Sequence, residues 1–268
     1  MCRLFAQLST APRCARAALV CGSDAFVSLS ARHSDGWGLG AVTRRGVRLF
    51  KSSQAARQDP AFESLARSVR GTAVVAHVRK ATVGAVARNN AHPFRHGRWL
   101  FAHNGSLFGF AVLRPRLSAA TAPELRAHVR GTTDSEALFY YLLTAIHGET
   151  APGRVAAALR RALGRLFGWA REAGLEPPKV SFVLTDGQIL FAQRGGMELH
   201  LAAGPGVLRF ASQPTDQQRW LAVPEGCMVV ASAERIRHLL APPEGFAVSW
   251  PAPLSPPPTR PNVSLIAA

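Results

Sequence analysis

Apolar positions recur along the chain at two spacings, and each predicts its own kind of element. At the helical spacing, Phe62, Leu65, Ala66 and Val69 follow Asp59-Pro60, an N-cap with proline at the first helical position, and Gly71 is the expected stop. Thr133-Asp134-Ser135-Glu136 has the form of a capping box ahead of a second stripe, Leu138, Tyr141, Leu142 and Ala145. A third stripe, Val155, Leu159, Leu163, Leu166 and Ala170, ends at Gly174. Short apolar runs bounded by turns predict strands at 72–77, 99–103, 180–185, 188–193, 197–201, 207–211 and 228–232. Asp186-Gly187 between two of them predicts a hairpin with a type I′ turn. The later strands follow one another through short turns, which calls for antiparallel pairing. Helices and hairpins are segregated, so the expected class is α+β.

Composition narrows the picture. A chain of 268 residues with 47% hydrophobic content builds a globular core, as one large domain or two small ones. Six prolines between 251 and 261 set residues 251–268 apart as an extended Pro-rich tail and leave 2–250 as the globular part. No apolar run reaches the roughly 18–20 residues that span a bilayer. The N-terminus lacks the ordered zones of a signal peptide. A soluble, cytoplasmic protein without a membrane partner is expected.

The net charge of +16 raises nucleic acid as a partner. Against it, the arginines are spread along the chain, no run of five basic residues occurs, and no aromatic-basic interleaving marks a single-strand binder. Lysine is confined to Lys51, Lys80 and Lys179, so an arginine-favouring composition is the simpler source of the charge, and nucleic acid is disfavoured. Cysteines stand at 2, 14, 21 and 227, with no C-x-x-C pair and no Cys/His cluster. Neither a disulfide framework nor a metal site is expected.

Candidate chemistry begins at Cys2. Removal of Met1 would leave a thiol and a free α-amine on one residue, with pKa values of roughly 8.5 and 7.7–8. A nucleophile and its base would then share one side of one residue. A small apolar residue at position 2 has a plainer use in a core. Four further segments carry polar groups at informative places. Ser34-Asp35-Gly36-Trp37-Gly38-Leu39-Gly40 is a glycine-rich turn feeding a strand, without the spacing of a nucleotide fingerprint. In His77-Val78-Arg79-Lys80-Ala81-Thr82-Val83-Gly84, an arginine at a strand end is placed to grip a carboxylate with two parallel hydrogen bonds, or to face solvent. Asn89-Asn90-Ala91-His92-Pro93 is followed by His103-Asn104-Gly105. Asn-Gly is by default a hairpin turn; alternatively the Asn104 amide and Gly105 N–H aim together as an oxyanion hole. Asp134 caps a helix, or holds a substrate ammonium from its first turn.

Taken in order, Cys2, D-G-W-G, H-x-R-x-A-T-x-G, N-A-H-P, H-N-G and T-D-S-E resemble the class II glutamine amidotransferases, N-terminal-nucleophile hydrolases, and among them the short stand-alone members. A looser match continues through 182–187, Ala211-Ser212-Gln213-Pro214 and Val223-Pro224-Glu225-Gly226. The resemblance implies a four-layer αββα sandwich over residues 2–250. It implies Cys2 as nucleophile and, through its amine, base. Asn104 and Gly105 would stabilise the oxyanion, Arg79 and Asp134 would bind the α-carboxylate and α-ammonium of a glutamyl head, Thr82 would line the pocket, and His92 would order a nearby loop. The implied reaction is hydrolysis of the γ-amide of glutamine through a thioester, with no cofactor.

Two positions depart from the pattern of members fused to synthase domains: Lys80 where an aromatic commonly follows the arginine, and Val83 where a histidine commonly precedes the last glycine. No stretch of the chain is left for an acceptor domain, so ammonia would pass to a separate synthase subunit. Otherwise the substrate is another γ-glutamyl amide, a γ-glutamyl peptide or thiol compound, as in ergothioneine synthesis or glutathione breakdown. A catalytically inert scaffold is the remaining alternative.

Overall fold

The computed structural model describes residues 2–233. The expected tail at 251–268 and the end of the expected domain lie outside the described residues. The strands are β1 (Arg3–Arg13), β2 (Trp37–Thr43), β3 (Gly46–Ser52), β4 (Gly71–Val78), β5 (Phe94–His96), β6 (Trp99–Ser106), β7 (Lys179–Thr185), β8 (Ile189–Gln193), β9 (His200–Gly204), β10 (Val207–Ala211), β11 (Leu221–Ala222) and β12 (Met228–Ser232). They form two antiparallel sheets, ordered β11-β9-β10-β1-β4-β2-β3 and β12-β8-β7-β6-β5. The helices are α1 (Arg16–Val20), α2 (Pro60–Ser68), α3 (Phe110–Ala119), α4 (Pro123–Arg126), α5 (Asp134–Ala145) and α6 (Pro152–Glu172).

Three buried apolar clusters define the layers. Leu4, Ala6, Leu8, Val75, Ala102, Val183 and Phe210 fill the space between the two sheets. Phe5, Leu39, Phe62, Val74 and Ala76 pack the other face of the larger sheet against α1 and α2. Phe101, Phe139, Leu142, Leu159, Leu163 and Phe182 pack the smaller sheet against α3, α5 and α6. Both faces of both sheets are therefore covered, and the fold is the αββα sandwich, α+β in class. Each fully buried Leu or Phe contributes about 1.5–3 kcal/mol relative to exposure, so the three clusters together hold the layers in place.

Central β1 pairs with β4 on one side and β10 on the other. Its residues are buried on both faces from Leu4 to Ser9, which erases the period of two that marks a half-buried strand; β1 was not among the expected strands. β2 escaped for another reason. Its Gly38 and Gly40 read as turn residues, yet they lie in mid-strand because the chain at 92–93 crosses directly above. A Cβ on Gly38 would run into the His92 carbonyl, and one on Gly40 would press on Leu100 and Pro93.

Four local expectations are corrected. Asn104-Gly105 makes no turn: both sit inside β6, opposite Ser181 and Val180 of β7. The hairpin after β7 is not type I′, since Gly187 has positive φ but Asp186 does not; instead Asp186 Oδ1 accepts from the N–H groups of Gln188 and Ile189, an Asx turn. Gly71 opens β4 rather than stopping α2, which ends at Ser68. The strand expected at 197–201 begins at His200, because Met197 is held by its N–H and C=O on the Ser181 hydroxyl.

Candidate active site

The register of β1 against β4 delivers Cys2 to its place. Arg3 pairs with Val78, so one step further the antiparallel ladder sets Cys2 beside Arg79-Lys80. The Lys80 N–H donates to Cys2 Sγ and the thiol donates to the Lys80 carbonyl, each at 3.4 Å. On the other flank of β1, the Ser212 hydroxyl accepts from Leu4 N–H at 2.9 Å, and Gln213 accepts from Arg3 Nε at 3.1 Å. The Ala-Ser-Gln-Pro segment thus moors the start of the strand. Burial pushes the Cys2 thiol up, opposed by the Lys80 N–H and by the nearby positive charge of Arg79, and reinforced by Asp134. Cys2 therefore shares one electrostatic neighbourhood with both charged residues that the sequence singled out.

Arg79 is 2% exposed. Its Nη1 donates to the Ala85 carbonyl at 2.9 Å, and Nη2 donates to Val83 and Gly84 at 2.9 and 3.1 Å. Either two-pronged face of a guanidinium uses an Nη2 hydrogen, and here both hold the 83–85 loop. The side chain expected to present an open fork is in this state the staple of that loop. Its backbone is fixed by the D-G-W-G segment: Arg79 N–H donates to Gly36 O at 2.8 Å, Asp35 N–H donates to Arg79 O at 3.0 Å, and Asp35 Oδ2 accepts from Ala81 N–H at 2.8 Å. Asp35 went unassigned in the sequence; its clasp on Ala81 needs two loops that only the fold brings together.

Asp134 opens α5, buried. Its Oδ2 accepts from Leu107 N–H at 2.8 Å and its Oδ1 from Ser135 N–H at 2.8 Å. Thr133 Oγ1 accepts from Glu136 N–H at 3.2 Å, the forward half of the capping box. The return half is missing: Glu136 instead accepts from the N–H groups of Arg130 and Gly131, fastening the loop that leads into the helix.

His103 links β6 to this helix, with Nε2 2.9 Å from Lys179 O and Nδ1 2.9 Å from Ser135 Oγ. Burial pushes His103 down, against the pull of Asp134, so the ring is neutral at pH 7. A carbonyl only accepts, so Nε2 carries a proton toward Lys179 O, while the Ser135 hydroxyl sits between Nδ1 at 2.9 Å and Asp134 Oδ1 at 3.3 Å. Next to His103, the Asn104 amide is 1% exposed and neither its nitrogen nor its oxygen has a hydrogen-bond partner. A Cβ at Gly105 would collide with the Lys179 carbonyl and with His103, so the backbone there admits glycine alone.

Thr82 is exposed, its hydroxyl 3.5 Å from that of Ser106. His92 is buried, its ring tilted against His77 at 4.1 Å between centroids and edge-on against Phe94 at 4.6 Å. None of the four described cysteines is in a disulfide, and no cluster of metal-binding side chains occurs among the described residues. No helix among the described residues is long and apolar enough to cross a membrane.

A thiol at the head of the central strand of an αββα sandwich, beside a buried arginine and a buried aspartate, defines an N-terminal-nucleophile hydrolase fold. The family model for class-II glutamine amidotransferases matches residues 1–205, and the chain belongs to that family. A solved structure of a class-II glutamine aminotransferase domain protein from Silicibacter pomeroyi is similar at 27% identity, with a TM-score of 0.65, over 87% of this chain and 95% of that one. Glutamine phosphoribosylpyrophosphate amidotransferase of Bacillus subtilis shares the fold at 18% identity and a TM-score of 0.62, over 87% of this chain and 47% of that one. In sequence, the γ-glutamyl-hercynylcysteine sulfoxide hydrolase of Mycolicibacterium smegmatis is 30% identical over 202 residues, 74% of this chain and 77% of its own. Other relatives are matched over less of their length: the aligned part is 36% of a Haemophilus influenzae relative that is 37% identical over 118 residues, 41% of this chain.

Proposed function

We propose that this chain hydrolyses the side-chain amide of a γ-glutamyl substrate, with Cys2 as nucleophile once Met1 is removed. The α-amine of Cys2 takes the thiol proton, Sγ forms a bond to the γ-carbonyl carbon, and the oxygen becomes an oxyanion facing Asn104 and Gly105. Collapse breaks the C–N bond, and the proton leaves with the amine. Water then attacks the thioester, releasing glutamate and restoring the thiol. Arg79 takes the α-carboxylate by exchanging its Nη2 bonds to the Val83 and Gly84 carbonyls for the substrate, and Asp134 takes the α-ammonium; Thr82 lines the entry, and His92 supports the loop behind the site.

The observation that carries this reading is the buried, unpartnered amide of Asn104. Leaving such a group unsatisfied costs about 1–3 kcal/mol, and an amide held without a partner is ready to donate to charge that develops during reaction. Glutamate release from glutamine tests it: Asn104→Ala should lower kcat by a factor on the order of 10²–10³ with the fold intact. Undiminished kcat in that variant would remove the oxyanion role.

Glutamine, with ammonia passed to a separate synthase subunit, is the first substrate to test. Lys80 and Val83 favour a second reading, a γ-glutamyl amide with a larger leaving amine, and the hydrolase from M. smegmatis acts on a compound of that kind by its name. Rates on glutamine against a panel of γ-glutamyl peptides and γ-glutamyl thiol compounds separate the two at a preference of about tenfold, or 1.4 kcal/mol.

A further inference from the structure

We infer that Asn90 is a positioning residue that sets the distance between the carboxylate-binding and ammonium-binding ends of the head-group site. The inference rests on the proposed roles of Arg79 and Asp134. Asn90 is 4% exposed. Its Nδ2 donates to the Ala85 carbonyl at 3.0 Å, the same oxygen that accepts from Arg79 Nη1 at 2.9 Å. The same Nδ2 lies 3.3 Å from Thr132 Oγ1, and Oδ1 accepts from Thr132 N–H at 2.9 Å. Thr132 adjoins Thr133, whose hydroxyl caps the helix that begins at Asp134.

One amide therefore ties the loop stapled by Arg79 to the segment that presents Asp134. The packing around it is closed on both sides. A Cβ on Gly84 would press on Asn90 Nδ2 and Thr132 Oγ1, and one on Gly131 would collide with Asn90 Oδ1. Arg79 sits at the end of a strand of the larger sheet, whereas Asp134 opens a helix packed on the smaller sheet. Their separation depends on how the two halves dock, and Asn90 bridges the halves at this point. A zwitterionic head engages both ends at once and needs that separation; a substrate with the carboxylate alone does not.

This difference supplies the test. γ-Glutamyl p-nitroanilide and glutaryl p-nitroanilide release the same amine, but the second lacks the α-ammonium. In full-length enzyme the ratio of their kcat/KM values isolates two-point recognition. Asn90→Ala should lower the ratio at least about tenfold, since small misplacements of binding groups cost up to about a hundredfold. Asn90→Asp keeps the acceptor for Thr132 N–H but loses both donated contacts. It should behave alike, and it carries the test should the alanine variant fail to fold. If the glutaryl compound is not turned over, its Ki as a competitive inhibitor replaces its kcat/KM. A merely structural residue would lower both rates together, and an unchanged ratio in both variants overturns the inference. Asp134→Ala is the reference: it should collapse the ratio. A ratio that this variant leaves unmoved removes the head-group reading itself, and with it the inference.

Discussion

His77 and His92 lie ring against ring between the sheets, with centroids 4.1 Å apart and no hydrogen-bond partner on any of their four ring nitrogens. Burial pushes His77 down to about 3. His92 is also driven well below its ordinary value, by burial first and then by the charge of its histidine neighbours. Both rings are neutral in the folded protein. An unfolded chain takes up protons near pH 6.5, and the folded one does not until far lower. The stability these rings permit is complete above pH 6.5 and is lost as the pH falls below it, for His77 down to about 3, at up to about 1.4 kcal/mol per pH unit for each ring that is protonated only in the unfolded chain. Urea midpoints should drop between pH 7 and pH 5, and His77→Leu should make the drop shallower. An equally steep decline in that variant would place the acid sensitivity elsewhere.

Cys2 is expected to be the sole essential thiol. It stands just ahead of a strand, half-buried, and its side chain hydrogen-bonds to the Lys80 backbone. Cys2→Ala should abolish turnover and leave the thermal midpoint within about 2 °C, because surface-proximal truncations outside the core usually stay within about 0.5 kcal/mol. Intact mass establishes whether Met1 is absent, and a glutamine-like electrophile should add once, at Cys2. Labelling at Cys14, Cys21 or Cys227 in its place would sink the assignment.

Arg79 and Asp134 should separate by substitution type. Asp134→Asn keeps an oxygen to accept from Leu107 N–H but cancels the charge, so folding persists while head-group recognition fails. Loss of one partner of a desolvated pair costs roughly 2–5 kcal/mol, a factor on the order of 30 or more in kcat/KM. Arg79→Lys should rescue little of the loss in Arg79→Ala, since one ammonium cannot hold the carbonyls of Val83, Gly84 and Ala85 together. Wild-type kinetics in both Asp134→Asn and Arg79→Ala would refute the head-group roles.

Glycines in strand and helix should respond with opposite signs. At Gly38 an added Cβ meets the His92 carbonyl; Gly38→Ala should destabilise by about 1–3 kcal/mol through overpacking. At Gly164 and Gly168 in α6 an added Cβ would meet nothing within 4 Å, so Gly→Ala there should stabilise by about 0.5–1 kcal/mol each. Chemical denaturation of the single variants compares them directly, and a stabilising Gly38→Ala would mean the 92–93 crossing yields freely.

What the sequence determined by itself is the part written in local patterns. The stripes after Asp59-Pro60 and Thr133, the long stripe from Val155 to Ala170, and the strands at 207–211 and 228–232 need only neighbours a few positions away, and they stand as read. The order of motifs from Cys2 to Glu136 was enough to name the family. Tertiary structure decided the rest, because it turned on pairing across long separations. β1 is buried on one face by the opposite sheet and on the other by the layer of α1 and α2, so its own pattern carries no period. Asn104-Gly105 has the sequence of a turn, yet pairing with β7 holds it straight and leaves the Asn104 amide buried without a partner. Arg79 has the look of an open fork, but the 83–85 loop closes on it, tied through Asn90 to Thr132 far along the chain. Local propensity chose the elements; the docking of two sheets chose which polar groups stayed unspent at the site.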